Sequence, residues 1–210
     1  MFEADRLGTV VLLNGASSAG KTTVARALLR QLPDPWFLLS VDDVNAMRSR
    51  EPSAALSGEH LSDVLRRTRA GFHRCVRGLA DAGNDVVADH VLSEPWRLHD
   101  IVGLWADLDV VLVGVHCDAD ELLRRERARG DRVPGAAADQ RPVVHRGVVY
   151  DVEVDTTVTS PDACAQAIAR AVLDGRRGGW AATSARGGAP LSAHRPVAGA
   201  SGEGAAQWPP

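Results

Sequence analysis

The chain has 210 residues, 45% hydrophobic and 24% charged, with a formal net charge of -3 at pH 7. That is the balance of an ordinary soluble globular protein. It excludes the global basic field that drives nucleic-acid binding.

Leu7 to Asn14 is rich in Val and Leu and predicts a buried strand. Gly15-Ala16-Ser17-Ser18-Ala19-Gly20-Lys21-Thr22 follows at once, with Thr23 beside it. Lys21 to Gln31 has helical spacing through Val24, Ala27 and Leu28, and stops before Pro33 and Pro35. Trp36 to Val41 predicts a second strand. Glu59 to Ala82 predicts a long helix ending at Gly83, and Asp85 to Ala88 leads a third strand. Pro95 to Leu104 is helical in pattern. Asp109 to His116 is the clearest strand, since Val110, Val111, Leu112, Val113 and Val115 run almost unbroken. Asp118 to Arg129 predicts a charged helix, Val152 to Asp155 a fifth strand, and Pro161 to Leu173 a closing helix. Strands that are apolar on both faces and alternate with helices imply an α/β fold, a parallel sheet covered on each side.

From about Gly175 the composition turns to Gly, Ala, Ser and Pro, and only Trp180 and Trp208 are large. Such a segment buries too little apolar surface to offset its ordering entropy. The expectation is one domain over 1–174 and a disordered tail over 175–210. Cys75, Cys117 and Cys164 show no CxxC or Cys/His metal spacing and read as reduced thiols. The first apolar run is too short and wrongly flanked for a signal peptide, and no stretch approaches the ~20 apolar residues of a membrane span. A cytoplasmic protein without a membrane or nucleic-acid partner is expected.

Gly15 to Thr22 matches GxxxxGK[ST] without a mismatch, with a strand before it and a helix after it. Small residues let backbone N–H groups point inward at phosphate oxygens, and the following helix presents its positive end. Lys21 can reach the β- and γ-phosphates, and Thr22 offers a hydroxyl to Mg²⁺. The alternative is a Gly-rich turn that binds nothing. The motif alone predicts nucleotide binding and no particular reaction.

A kinase also needs an acceptor base, a means of holding Mg²⁺ and positive charge on the transferring phosphoryl group. Asp42 and Asp43 follow the second strand, where ligands of open α/β sheets bind. Asp42 is read as the base and Asp43 as a helix cap. Asp89, in Val86-Val87-Ala88-Asp89-His90, is read as a magnesium or substrate group, the alternative being a cap. Arg124, Arg125 and Arg127 read as a solvated helix face paired with Glu121 and Glu126. Arg129 and Arg132 sit where a lid could close over the phosphates, and guanidinium groups suit phosphoryl oxygens. His145, Tyr150 and Asp151 fit an adenine pocket or simple packing equally well.

These residues resemble the chloramphenicol phosphotransferase family. The resemblance covers about Val10 to Ala171 and rests on Leu13-Asn14-Gly15 through Thr22, Leu32 to Trp36, Ser40-Val41-Asp42, Asp107 to Val110, Arg127 to Val133, and Val143 to Thr156. It implies a P-loop NTPase fold with five parallel strands between helices, like the nucleoside monophosphate and shikimate kinases, with an Arg-bearing lid. It also implies transfer of the γ-phosphate of ATP to a hydroxyl of an antibiotic. Asp42 matches the family's base, Lys21 and Thr22 its cradle, Arg132 its lid, and Asp89 its acidic residue after the third strand. ATP rather than GTP rests on the resemblance.

The departures lie in Val44 to His60, which is short and carries Met47, Arg48, Arg50 and Glu51, and in His90-Val91-Leu92-Ser93-Glu94-Pro95. Both should line the acceptor pocket, and the charges near Arg48 suggest a more polar or anionic acceptor. The expected partner is a small hydroxyl compound, with a homo-oligomer left open. A housekeeping metabolite or nucleotide kinase is the nearest alternative. A nucleotide-dependent switch without kinase activity is the alternative from another class.

Overall fold

The computed structural model describes residues 6–129 and 136–187. In chain order they form β1 (Thr9–Asn14), α1 (Lys21–Leu29), β2 (Trp36–Ser40), α2 (Val41–Ala46), α3 (Arg50–Ala54), α4 (Gly58–Asp81) and β3 (Asp85–His90). These are followed by α5 (Pro95–Leu104), β4 (Asp109–His116), α6 (Ala119–Arg129), α7 (Ala136–Val144), β5 (Val152–Asp155), α8 (Pro161–Leu173) and α9 (Gly179–Gly187). The strands make one parallel sheet in the order β2-β3-β1-β4-β5.

The unbroken apolar runs of β1 and β4 feed two cores, because successive side chains leave a strand on opposite faces. Val11, Leu13, Val111, Val113 and Val115 pack with Val24 and Leu28 of α1 and with Ile168 of α8. Val10, Leu12, Val110 and Leu112 pack on the other face with Phe72 and Val76 of α4 and with Ile101 and Trp105 at α5. Each large side chain so buried contributes roughly 1.5–3 kcal/mol. The same alternation sends Asp89 to the α1 face and His90 to the α4 face of neighbouring β3.

The expected strands and major helices are present, with differences that have local causes. β2 ends at Ser40, not Val41, because the Ser40 hydroxyl accepts from the Asp43 amide at 3.0 Å and starts α2. The Ser40 hydroxyl in turn donates to the Asp43 carboxylate at 2.6 Å. Ser40 is therefore the cap, and Asp43 supplies the capped amide and a carboxylate that holds the Ser40 hydroxyl. Helices α2, α3 and α7 were not expected.

The expected tail also begins differently. Its first part turns into α9, whose Trp180 is 7% exposed and packs in the core with Trp105, ring centroids 6.2 Å apart. Thr183 fastens this helix by donating to the Val149 carbonyl at 3.1 Å and accepting from the Val149 amide at 2.8 Å. One indole and two hydrogen bonds supply the burial that composition alone did not suggest.

Candidate nucleotide and phosphoryl-transfer site

The cradle lies at the C-terminal end of the sheet, between β1 and α1. Its curl needs left-handed backbone at two positions, Ser18 (φ 60°) and Gly20 (φ 84°). Glycine adopts this freely, whereas for serine it stores strain of the kind found at ligand-binding turns. Gly15 is required for space, since a Cβ there would come within 2.3 Å of the Val115 carbonyl oxygen. Ser18 Oγ is buried in the loop without a hydrogen-bond partner. An orphaned hydroxyl beside a ring of small residues fits an anion in the concavity.

Lys21 opens α1 and is 6% exposed. Its ammonium donates to the Ala16 carbonyl at 2.9 Å and stands 3.7 Å from Asp89 Oδ1. Thr22 Oγ1 donates to Asp89 Oδ2 at 2.6 Å. Asp89 thus reaches from the end of β3 to both polar residues of the motif's last turn. This donor set suits a hard divalent cation carried in with phosphates, which needs oxygen ligands and keeps several waters. Among the described residues no cluster of three or more His, Cys, Asp and Glu could hold a metal by itself.

Ser17, Lys21, Thr22, Asp42 and Asp89 share one cleft of about 470 Å³. Arg124, Arg125, Ala128, Thr156 and Pro161 also line it, as do Ser40, Val41 and Val91. Asp42 is exposed on the first turn of α2 and lines this cleft. The cradle, Asp42 and Asp89 therefore line one cleft. Arg132 lies outside the described residues. So does the side chain of Arg129, although α6 ends at that residue.

Several contributors were not expected. Arg124 and Arg125 do pair with Glu121, whose carboxyl they hold down at about 2. They are nevertheless cleft residues and not simply a solvated face. Arg125 donates to the Thr156 carbonyl at 2.8 Å, to Thr156 Oγ1 at 3.1 Å and to the Ser18 carbonyl at 3.4 Å. Thr156 Oγ1 donates to the Ala19 carbonyl at 2.8 Å. Together they brace the cradle from α6 and from the residue that follows β5. Gln140 of α7 accepts from the Ser17 amide at 2.9 Å.

Asn14, fully buried at the end of β1, donates to the Val144 carbonyl at 2.6 Å and to Tyr150 Oη at 2.7 Å, and accepts from the Leu92 amide at 3.0 Å. It ties three segments around the cradle, a satisfied buried network that fixes geometry. His145 stacks on His116 with centroids 4.2 Å apart and meets Tyr150 Oη through Nδ1 at 2.7 Å. Burial first, then the neighbouring His116 imidazole, lowers the His145 pKa to about 4. Burial also raises that of Tyr150. Tyr150 and His145 therefore pack behind the cradle as neutral groups. Asp151 has a backbone role, accepting from the amides of Leu112 at 2.8 Å and Gly179 at 2.7 Å.

Comparisons with known proteins agree with this architecture. The family model described as chloramphenicol phosphotransferase-like protein matches residues 8–173. A protein of Mycobacterium tuberculosis, provisionally named an O-phosphotransferase, is 31% identical over 172 residues, covering 72% of this chain and 76% of its own. Among solved structures, the APS kinase of M. tuberculosis in complex with AMPPNP and APS superposes with a TM-score of 0.62 at 20% identity, covering 80% of this chain and 99% of that one. Shikimate kinase from Acinetobacter baumannii in complex with shikimate gives a TM-score of 0.56 at 16% identity, over 82% and 96%. At these identities the structural likeness shows a common P-loop kinase fold.

Proposed function

The chain belongs to the chloramphenicol phosphotransferase-like family and is a P-loop O-phosphotransferase, and from that premise we propose that it moves the γ-phosphoryl group of ATP to a hydroxyl of a small molecule, an antibiotic in the pattern of the family. The observation that carries this reading is the joining of Lys21, Thr22 and Asp89 in one cleft with Asp42.

In this reading the triphosphate lies along the backbone amides of the cradle, with Lys21 on its β- and γ-oxygens. Arg124, Arg125, Thr156 and Pro161 wall the nucleoside end. Thr22 and Asp89 would hold Mg²⁺, which supplies positive charge against the phosphate oxygens. Asp42 accepts the proton of the acceptor hydroxyl as its oxygen forms a bond to the γ-phosphorus. The bond from that phosphorus to the bridging oxygen breaks, and ADP leaves. Arg129 and Arg132 are assigned to the transferring phosphoryl oxygens on sequence grounds, where a closing lid would also exclude water.

The test is Asp42→Asn. Transfer to the acceptor is expected to fall by roughly 10²–10⁴-fold, with nucleotide affinity measured by calorimetry in the presence of Mg²⁺ retained. Intact transfer removes Asp42 as the base. Loss of all nucleotide affinity in the unaltered protein removes the whole reading.

A further inference from the structure

Ala16 to Ala19 form a turn, closed by the Ala19 amide donating to the Ala16 carbonyl at 3.3 Å. Ser18 is its third residue and has φ 60°, the single positive value outside glycine among the described residues. Turns with left-handed backbone at that position favour glycine, since a Cβ is strained there. The Ser18 hydroxyl recovers nothing within the fold, because it is buried without a partner. A strained residue of this kind persists only where its surroundings hold it.

Two helices hold this turn from outside the loop. Gln140 of α7 accepts from the Ser17 amide at 2.9 Å, so its carboxamide is turned with Oε1 toward the cradle. Arg125 of α6 donates to the Ser18 carbonyl at 3.4 Å. The first bond grips the peptide that enters the two central residues, and the second grips the peptide that leaves them. Lys21 holds the turn as well, at the Ala16 carbonyl, but it is the group assigned to the phosphates. α7 is anchored separately. Its Val144 is fully buried, the Val144 carbonyl accepts from Asn14 at 2.6 Å, and Arg141 donates to the Cys117 carbonyl at 3.2 Å. The helix is thus fixed to the end of β1 and to the residue after β4, and from there it delivers the carboxamide to the cradle.

Resting on the phosphotransferase reading, we propose that Gln140 is a positioning residue for the nucleotide, which holds the strained Ser17–Ser18 turn in the shape that receives the triphosphate. It acts through the Ser17 peptide and touches neither phosphate nor acceptor in this role. Ser17 and Ser18 line the cleft together with Lys21 and Thr22, so a shift of their peptides changes what the phosphates meet. Without a Cβ at position 18 the backbone would adopt the same shape freely and need no such hold. The dependence on Gln140 is therefore tied to the serine, which separates it from a general part in packing α7.

The experiment is a double-mutant cycle on the full chain, with ATP and Mg²⁺ as the probe and calorimetry as the readout. Gln140→Met keeps the length and helix preference of the side chain and removes the strong acceptor. It is expected to weaken ATP binding by roughly two- to tenfold, the range of one hydrogen bond. In a Ser18→Gly background the same change is expected to cost less than about twofold. The cycle subtracts whatever the Ser18 hydroxyl itself contributes. Unchanged ATP affinity in Gln140→Met overturns the proposal. So does an equal loss in both backgrounds, which would make Gln140 independent of the turn. Hydrogen exchange adds a check that needs no variant to fold. In the unaltered protein without nucleotide, the Ser17 amide is expected to exchange slowly, and exchange as fast as that of an open loop overturns the proposal. A protein that binds no ATP would instead remove the phosphotransferase reading, so the two failures are distinguishable.

Discussion

Thr22 Oγ1 donates to Asp89 Oδ2 over 2.6 Å, so the first turn of α1 is tied to the end of β3 across 67 residues of sequence. The bond holds the carboxylate beside the Lys21 ammonium, 3.7 Å away. Two residues that a motif search treats separately thus act as one polar unit.

Asp89→Asn tests that unit. The amide keeps the size but loses the charge facing Lys21 and can accept through one oxygen only. Supporting groups of this kind are worth roughly 10–100-fold in metal affinity or activity. The expected result is a kcat lowered by that order and a higher Mg²⁺ concentration for half-maximal ATP turnover. An unchanged magnesium dependence would assign Asp89 to packing.

Gly15→Ala tests the shape of the cradle. The added methyl would sit 2.3 Å from the Val115 carbonyl, a backbone atom inside β4 that cannot swing away. Overpacking of this kind costs roughly 1–3 kcal/mol. A lower urea midpoint and a large loss of ATP affinity by calorimetry are expected together, because the loop must shift to relieve the contact.

Trp180→Ala tests whether α9 belongs to the folded unit. Removing a buried indole is expected to cost about 3 kcal/mol, measured by chemical denaturation. A protein ending at Asp174 should lose a similar amount. No change in either would return α9 to the status of a loosely attached tail.

His145 sets a pH dependence. Its folded pKa of about 4 lies below the ordinary 6.5, chiefly through burial, with His116, Arg141 and Lys21 acting in the same direction and Glu153 against it. The unfolded chain takes up the proton first as pH falls. The contribution to stability is therefore complete above about pH 6.5 and is lost progressively toward pH 4. Urea midpoints between pH 7.5 and 4.5 should decline through that window, and His145→Gln should flatten the decline.

Much of the fold was legible because its signals are local. β1 and β4 are continuous apolar runs, and Gly15 to Thr22 carries its own turn, amides and helix start. That Asp42 and Asp89 line the cleft follows from their places after β2 and at the end of β3, since the ends of parallel strands are where ligands meet such sheets. Arg125 was not legible, since its pairing with Glu121 looks the same on any solvated helix. Its bonds to the Ser18 carbonyl, 107 residues away, and to Thr156 bring it to the cradle. Asp43 was taken for the cap because Asp caps well, whereas Ser40 three residues earlier accepts from the Asp43 amide and starts the helix. α7 was hidden by Pro142 in its interior and α9 by its small residues. The bond between Gln140 and the Ser17 amide joins residues 123 apart and leaves no mark in sequence spacing.

The central place of β1 in the sheet has a consequence for how the molecule is made. Thr9 meets Asp85 and Asp109, which lie 76 and 100 residues further along. As the chain leaves the ribosome, its first strand has neither neighbour until β3 and then β4 have been synthesised. β1 is thus flanked on both sides only after the partner that lies 100 residues further along has been made. Such distant pairings slow folding and leave apolar strands exposed meanwhile, so chaperone dependence should concentrate on Val10 to Leu13.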